Sequence, residues 1–423
     1  MTSGLTFLMA ARRYEIAGLE QLALTSVLVS AIGHFVHALQ RERGLSNLYL
    51  GSRGACWRDE RARQITECER LQAAVRHCFD HLDTQPLQTA NGARLFSRVA
   101  YILQGLEALP RLREGIAACA LGAPQATAAF VRLVNGLLAV VFEAADSAPD
   151  PDISRQLVAM FNFMQGKELA GQERAAGAAL FAGGQADADG QHRLLGLIES
   201  QERCLHVFAE FASGALQATW QRSQRPEVLA GLERLRRVLG TAPSGRPLDT
   251  GLSQAWFDAC TARIDAMKDV EDALAAELLA LCEQRLGAAR QELAELERLQ
   301  AMPVAADGAS AKADCFSCPD GPAQPLASGP AYRPPCERSI LELVQAQAKR
   351  LQHMSDELDA ARASLNERKL IERAKGLLMA HRQFSEDEAH KALRQMAMNQ
   401  NRRLVEVAEA VLSAAAVLPG RPG

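Results

Sequence analysis

Two Glu-Arg dipeptides, each set beside a strip of small residues, carry the clearest chemistry in this chain. The first lies in LQRERGLSNLYLGSRG, Leu39 to Gly54, where Glu42-Arg43 is followed by Gly44, Ser46, Gly51 and Gly54. The second lies in GQERAAGAALFAGG, Gly171 to Gly184, where Glu173-Arg174 is followed by Ala175, Ala176 and Gly177. The two arginines are 131 positions apart. A guanidinium is planar and forked, and it matches a flat oxyanion with two parallel hydrogen bonds. Small neighbours let helices approach closely, which draws an arginine out of water and leaves it in need of an anionic partner. The repeat therefore reads as two half-sites for one small planar anion. The plainer alternative is a pair of solvated arginines, with Glu42 and Glu173 engaged in ion pairs along their own helices.

No catalytic set accompanies them. A Gly-rich phosphate loop, a GxSxG elbow and an HExxH pair are all missing from the sequence. Cys315 and Cys318 form a CxxC, and Cys336 follows eighteen residues on, so three zinc ligands stand in reach of one another. A fourth is not in sight, because His353 is distant and falls in a helical pattern. Loose thiols are the favoured reading, with no metal, no cofactor and no enzyme.

The elements that must position the arginines are helices. Apolar residues make up 48% of the 423, aromatics only 5%, and Ala, Leu, Glu, Arg and Gln dominate, which favours helix over sheet. Helical periodicity runs through 16–50, 58–83, 91–120 (interrupted by Pro110), 124–145, 153–182, 190–222, 225–240 and 253–300. Eight segments with an internal near-repeat suggest two stacked four-helix bundles over 1–300. The stretch 301–337 is rich in Pro, Gly, Ala and Ser and reads as a flexible linker. Beyond it, Leu341, Val344, Ala348, Leu351, Met354 and Leu358 keep heptad-like spacing, which predicts a short coiled coil and a homodimer. A disordered tail is expected at 416–423.

A net charge of −3 argues against nucleic-acid binding through bulk charge, so any such binding must be local. Ten cysteines without framework spacing, an N-terminus unlike a signal peptide, and no uninterrupted run of about 18 apolar residues point to a soluble cytoplasmic chain without a membrane span.

The segment 338–415 closes on three short apolar stripes. They are Ile371, Ala374 and Leu378; then Ala389, Leu393 and Met396; then Leu404, Val407, Ala408 and Val411. Ser385 and Glu388 form a capping box for the second helix. Lys369, Arg373, Lys375, Arg394, Arg402 and Arg403 can share one basic face. A helical protein-interaction or dimerisation module without RNA binding is the competing reading.

This C-terminal stretch resembles the ANTAR domain, the RNA-binding module of bacterial transcription antiterminators. The resemblance rests on Ile371, Glu372, Ala374-Lys375-Gly376, Leu378-Met379, Ser385-Glu386, Ala389, Leu393-Arg394, Ala397-Met398 and the run from Leu404 to Ala408. Residues 30–300 resemble the NIT domain, a nitrate- and nitrite-sensing double helical bundle, through both Glu-Arg segments and WFDACTARIDAMKDVED, Trp256 to Asp272. The pairing resembles the nitrate-responsive transcription antiterminators; together the two matches cover most of the sequence, and the linker is unmatched. The resemblance implies nitrate or nitrite held by Arg43 and Arg174, with Arg236 as a third arginine and Arg234 the second choice for it. It also implies recognition of a leader-mRNA hairpin in which Lys375 and Gly376 fall in the best-matched motif and Arg394, Arg402 and Arg403 reach phosphates.

Overall fold

The computed structural model describes residues 4–82 and 92–301 apart from 149, 186 and 244. It further describes scattered positions between 349 and 384, and the segments 386–400 and 402–417. The expected linker from 302 to 337, most of the expected coiled coil, Gly376, Ser385 and the side chain of Glu388 fall outside, as do Cys315, Cys318 and Cys336.

Eleven helices follow one another and no strand forms among the described residues, apart from one isolated bridge between Gln185 and Pro247. They are α1 (Gly4–Gly51), α2 (Arg58–Asp80), α3 (Gly92–Ala117), α4 (Ala123–Ser147), α5 (Pro151–Gly183), α6 (Ala188–Phe211), α7 (Gly214–Ser223), α8 (Pro226–Thr241), α9 (Leu252–Ala301), α10 (Glu386–Gln400) and α11 (Leu404–Val417). The fold is all-α, as the composition predicts.

Local chemistry sets the boundaries. Asp150 caps α5 by accepting from the amides of Asp152 and Ile153, with Pro151 at the first helical position, and Gly184 closes it in the left-handed region. The sequence expectation of one helix over 190–222 is corrected to two. Ser213 Oγ accepts from the Leu216 amide and starts α7 afresh, so Ala212 and Ser213 break the run. Pro110 does not split α3; it lies inside the helix, whose buried face of Ile102, Leu106, Leu109 and Ile116 carries on past it. α1 begins at Gly4, a dozen residues before the expected start, and α11 runs two residues into the expected tail.

The chain divides into two compact units. One comprises residues 1–21 and 283–356. In it Leu5, Leu8 and Met9 pack on Leu296, and Arg13 and Arg290 bond Glu297 and Glu20 across the helix pair.

The other unit comprises residues 22–282 and 357–423. Within it α1 to α4 form one group. Tyr49 of α1 donates to the Ala117 carbonyl at the end of α3, and Asn47 of α1 bonds Thr127 of α4. A second group has α5 at its centre, buried on nearly every face and packed on α6, α8 and α9. Its core collects Leu180, Phe181, Leu194, Leu232, Leu239, Trp256 and Cys260. The three C-terminal stripes also close on one another as expected, with Ala374, Leu393, Ala397, Val407 and Ala408 at the centre.

Two helices, Gly4–Gly51 and Ala123–Ala145, are long and on average apolar enough to cross a membrane, although no uninterrupted run of about 18 apolar residues occurs in either. Of the windows responsible, 61% and 56% respectively is buried inside the fold, as in core helices.

Candidate functional site

Consecutive residues on a helix point about 100° apart, so Glu42 and Arg43 cannot face each other, nor can Glu173 and Arg174. Each glutamate instead reaches an arginine on another helix. Arg113 of α3 donates to Glu42 through Nε at 2.9 Å and Nη2 at 2.8 Å. Arg236 of α8 donates to Glu173 through Nε and Nη2, both at 2.7 Å. The intrahelical pairing expected from sequence is thus corrected to two bidentate bridges between helices. Gln201 of α6 adds a bond to Glu173 at 2.6 Å. Arg263 of α9 bonds Gln201 at 3.0 Å and stands 3.8 Å from the same carboxylate. These bridges turn Arg43 and Arg174 toward the seam between α1 and α5.

There the two arginines lie against each other's helix. A Cβ added to Gly171 would stand 2.6 Å from Arg43 Nη2, and one added to Gly44 would stand 3.3 Å from Arg174 Nη2. The small residues beside each dipeptide are what admit the opposite guanidinium. Arg43 is 2% exposed and Arg174 5%.

Their partners differ. Arg43 is held by Glu168 of α5, with Nη1 to Oε1 at 2.5 Å and Nη2 to Oε2 at 3.3 Å. Gln40 and Gln172 donate to the same carboxylate at 2.9 and 3.0 Å. Arg174 bonds only neutral acceptors among the described residues: Thr261 Oγ1 at 2.9 Å and the Gln40 carbonyl at 3.3 Å. Its guanidinium also lies 4.9 Å from the centre of the Phe257 ring. Burial, and then the nearby Arg43 charge, lower the Arg174 pKa from 12.5 to about 10. Only one of the two arginines therefore carries the unmet need for an anion that the sequence assigns to both.

The seam is cationic beyond the pair. Lys167 of α5 is fully buried, with Nζ 2.6 Å from Glu271 of α9; burial pushes its pKa down, opposed by that carboxylate. Burial lowers His37 of α1 to about 3, helped by Lys167, Lys268, Arg41 and Arg174, so its imidazole is neutral, and its buried Nδ1 makes no hydrogen bond. Trp256 anchors the back of the site. Its Nε1 donates to the Arg174 carbonyl at 3.0 Å, and its ring fills the space over Gly177.

Of the arginines expected in the site, Arg43 and Arg174 come together. Arg236 does not join them; it is committed to Glu173 and to Glu233 at 2.7 Å, and those carboxylates raise its pKa despite burial. Arg234 is exposed, bonding the Ala230 carbonyl. Sequence reasoning missed Glu168, Gln40, Gln172, Thr261 and His37. The available signal was positional: Glu168 lies six residues before Arg174, as His37 lies six before Arg43.

At the C-terminus, Arg394, Arg402 and Arg403 are exposed. Arg394 Nη1 bonds Glu199 of α6 at 2.6 Å, and Arg403 Nη2 bonds Glu367 at 3.2 Å. Lys375 is 8% exposed and belongs to the inward face beside Ala374, so it is not displayed as a phosphate contact would be. Arg373, on the same helical stretch, is exposed.

Residues 34–279 match a family described as nitrate and nitrite sensing, and residues 359–412 match the ANTAR domain. A nitrate regulatory protein from Klebsiella oxytoca is 34% identical over 410 residues, covering 96% of this chain and 94% of that protein. The solved structure of the NasR transcription antiterminator is 31% identical, covers 97% of this chain and 99% of its own, and superposes with a TM-score of 0.60.

Proposed function

This chain belongs to the family of nitrate- and nitrite-sensing regulators that carry an ANTAR domain, and from that premise we propose that the arginine seam between α1 and α5 is its anion sensor. The protein is a regulator of transcription antitermination rather than an enzyme, and its ANTAR segment binds RNA. Nitrate or nitrite is the ligand; no other cofactor takes part. The observation that carries the site is Arg174, buried and cationic with only neutral hydrogen-bond acceptors among the described residues. A planar monovalent oxyanion satisfies it, and it does so while shedding less hydration than a phosphate.

Binding biases the sensor toward arrangements in which the two guanidiniums share an anion. The output is the three-helix ANTAR unit. Its Arg394 is tied to Glu199 of α6, so RNA phosphate and a sensor carboxylate compete for one side chain. Arg394, Arg402, Arg403 and Arg373 are the RNA-contact residues of this reading, and the target is a hairpin in a leader transcript. The working form is a cytoplasmic homodimer joined through the heptad stretch after residue 338.

Calorimetric titration of nitrate into the full chain tests the reading. Saturable heat in the wild type, lost in Arg174→Met, supports it; the same isotherm in both places the anion elsewhere.

A further inference from the structure

The two halves of the seam are related by a shift of 131 positions, and the relation breaks at the acid that holds Arg43. Arg43 corresponds to Arg174, and Gln40 to Gly171. The carboxylate that holds Arg43 belongs to Glu168, whose counterpart in the first half is His37. The acid on α5 thus serves the arginine of α1, whereas α1 carries an imidazole at the equivalent position.

Glu168 is bound in a manner unusual for an ion-pair partner. Its two oxygens receive both Arg43 nitrogens and the side-chain amides of Gln40 and Gln172, the first three bonds buried and the last part-buried. Donors converging on a flat, singly charged group with its charge spread over oxygens are what a small planar oxyanion requires. A carboxylate and such an anion compete for the same donors.

Resting on the function proposed above, we propose that Glu168 is a resident mimic of the ligand, which the incoming planar anion displaces from Arg43. Glu168 then sets the threshold of the sensor. Its bonds to Arg43 must break before both guanidiniums close on one anion, so affinity is held below what the arginine pair alone would give. Swinging Glu168 out also moves charge on α5, the central helix, which converts occupancy into a mechanical signal.

One substitution tests this in the full-length protein, read by calorimetric titration with sodium nitrate. Glu168→Gln keeps the shape and removes the competing charge. Since bonds to charged groups contribute more than neutral ones, it is expected to tighten nitrate binding by about ten- to a hundredfold. Nitrate-dependent melting of Glu168→Gln provides a second readout, with a larger upward shift than in the wild type.

Unchanged or weaker affinity in Glu168→Gln, with wild-type binding intact, overturns the displacement and leaves the anion on Arg174 alone. Failure of Glu168→Gln to fold even in saturating nitrate overturns it as well, whereas folding rescued by nitrate supports it. Absence of nitrate binding in the wild type removes the sensor reading itself, and this proposal with it.

Discussion

Arg174 and Arg43 look alike in sequence, yet the structure predicts opposite consequences for replacing them with methionine, which keeps an unbranched apolar stem and removes the charged head. The Arg174 pKa falls from 12.5 to about 10, mainly through burial. That fall corresponds to about 3 kcal/mol by which the folded state disfavours the cation. The sign follows from linkage. A cation with a depressed folded pKa is disfavoured on folding throughout the range below the folded value, so at neutral pH the whole cost is present. Replacement relieves it and forfeits the Phe257 contact and the bonds to Thr261 and Gln40, together about 2 kcal/mol. The net expectation for Arg174→Met in nitrate-free buffer is a gain of about 1 kcal/mol, or roughly 2–4 °C in melting temperature. Arg43→Met leaves the Glu168 carboxylate buried without its cation and costs about 3–5 kcal/mol. Scanning calorimetry of both variants decides the matter. A loss of about 2 kcal/mol or more in Arg174→Met would refute the reasoning, because Arg174 would then be a structural residue like Arg43.

Other perturbations follow from the same geometry. Gly177→Ala puts a Cβ about 2.2 Å from the Trp256 indole and is expected to destabilise the second helical group by about 1–3 kcal/mol, measured by urea unfolding. His37 stays neutral down to about pH 3 in the fold and titrates near 6.5 when unfolded, so stability is lost as pH falls below 6.5. At pH 5 this amounts to at most about 2 kcal/mol, and His37→Gln should remove that share of the decline between pH 7 and 5. Glu199→Ala frees Arg394 and should raise leader-RNA affinity in the absence of nitrate by less than about fivefold, since the pair is exposed, as filter binding at several salt concentrations will report.

Much of the fold was legible because it depends on local pattern. The 3.6-residue stripes of the C-terminal unit close on one another as Ile371, Ala374, Leu393, Val407 and Ala408 foretell. The Glu-Arg dipeptides beside small residues also mark the seam correctly, since Gly44 and Gly171 are what allow each guanidinium across. The ion-pair partners were not legible. Glu168 lies 125 residues from Arg43, and Arg113 lies 71 from Glu42, so nothing local names them. Sequence proximity suggested Glu42 and Glu173 as partners of the adjacent arginines, and helical geometry forbids it. Arg236 fits a basic stretch in sequence, but Glu173 claims it in space. Lys375 sits in a conspicuous motif, yet the neighbouring Ala374 belongs to the buried stripe and carries the lysine inward. The break between α6 and α7 turns on one serine hydroxyl.

The measurement closest to the centre of this account is the affinity of the full-length protein for its leader hairpin with and without nitrate, in wild type and in Arg174→Met. Nitrate is predicted to strengthen RNA binding by the wild type and to leave the variant unmoved. Equal stimulation of both would contradict the assignment of the anion to Arg174.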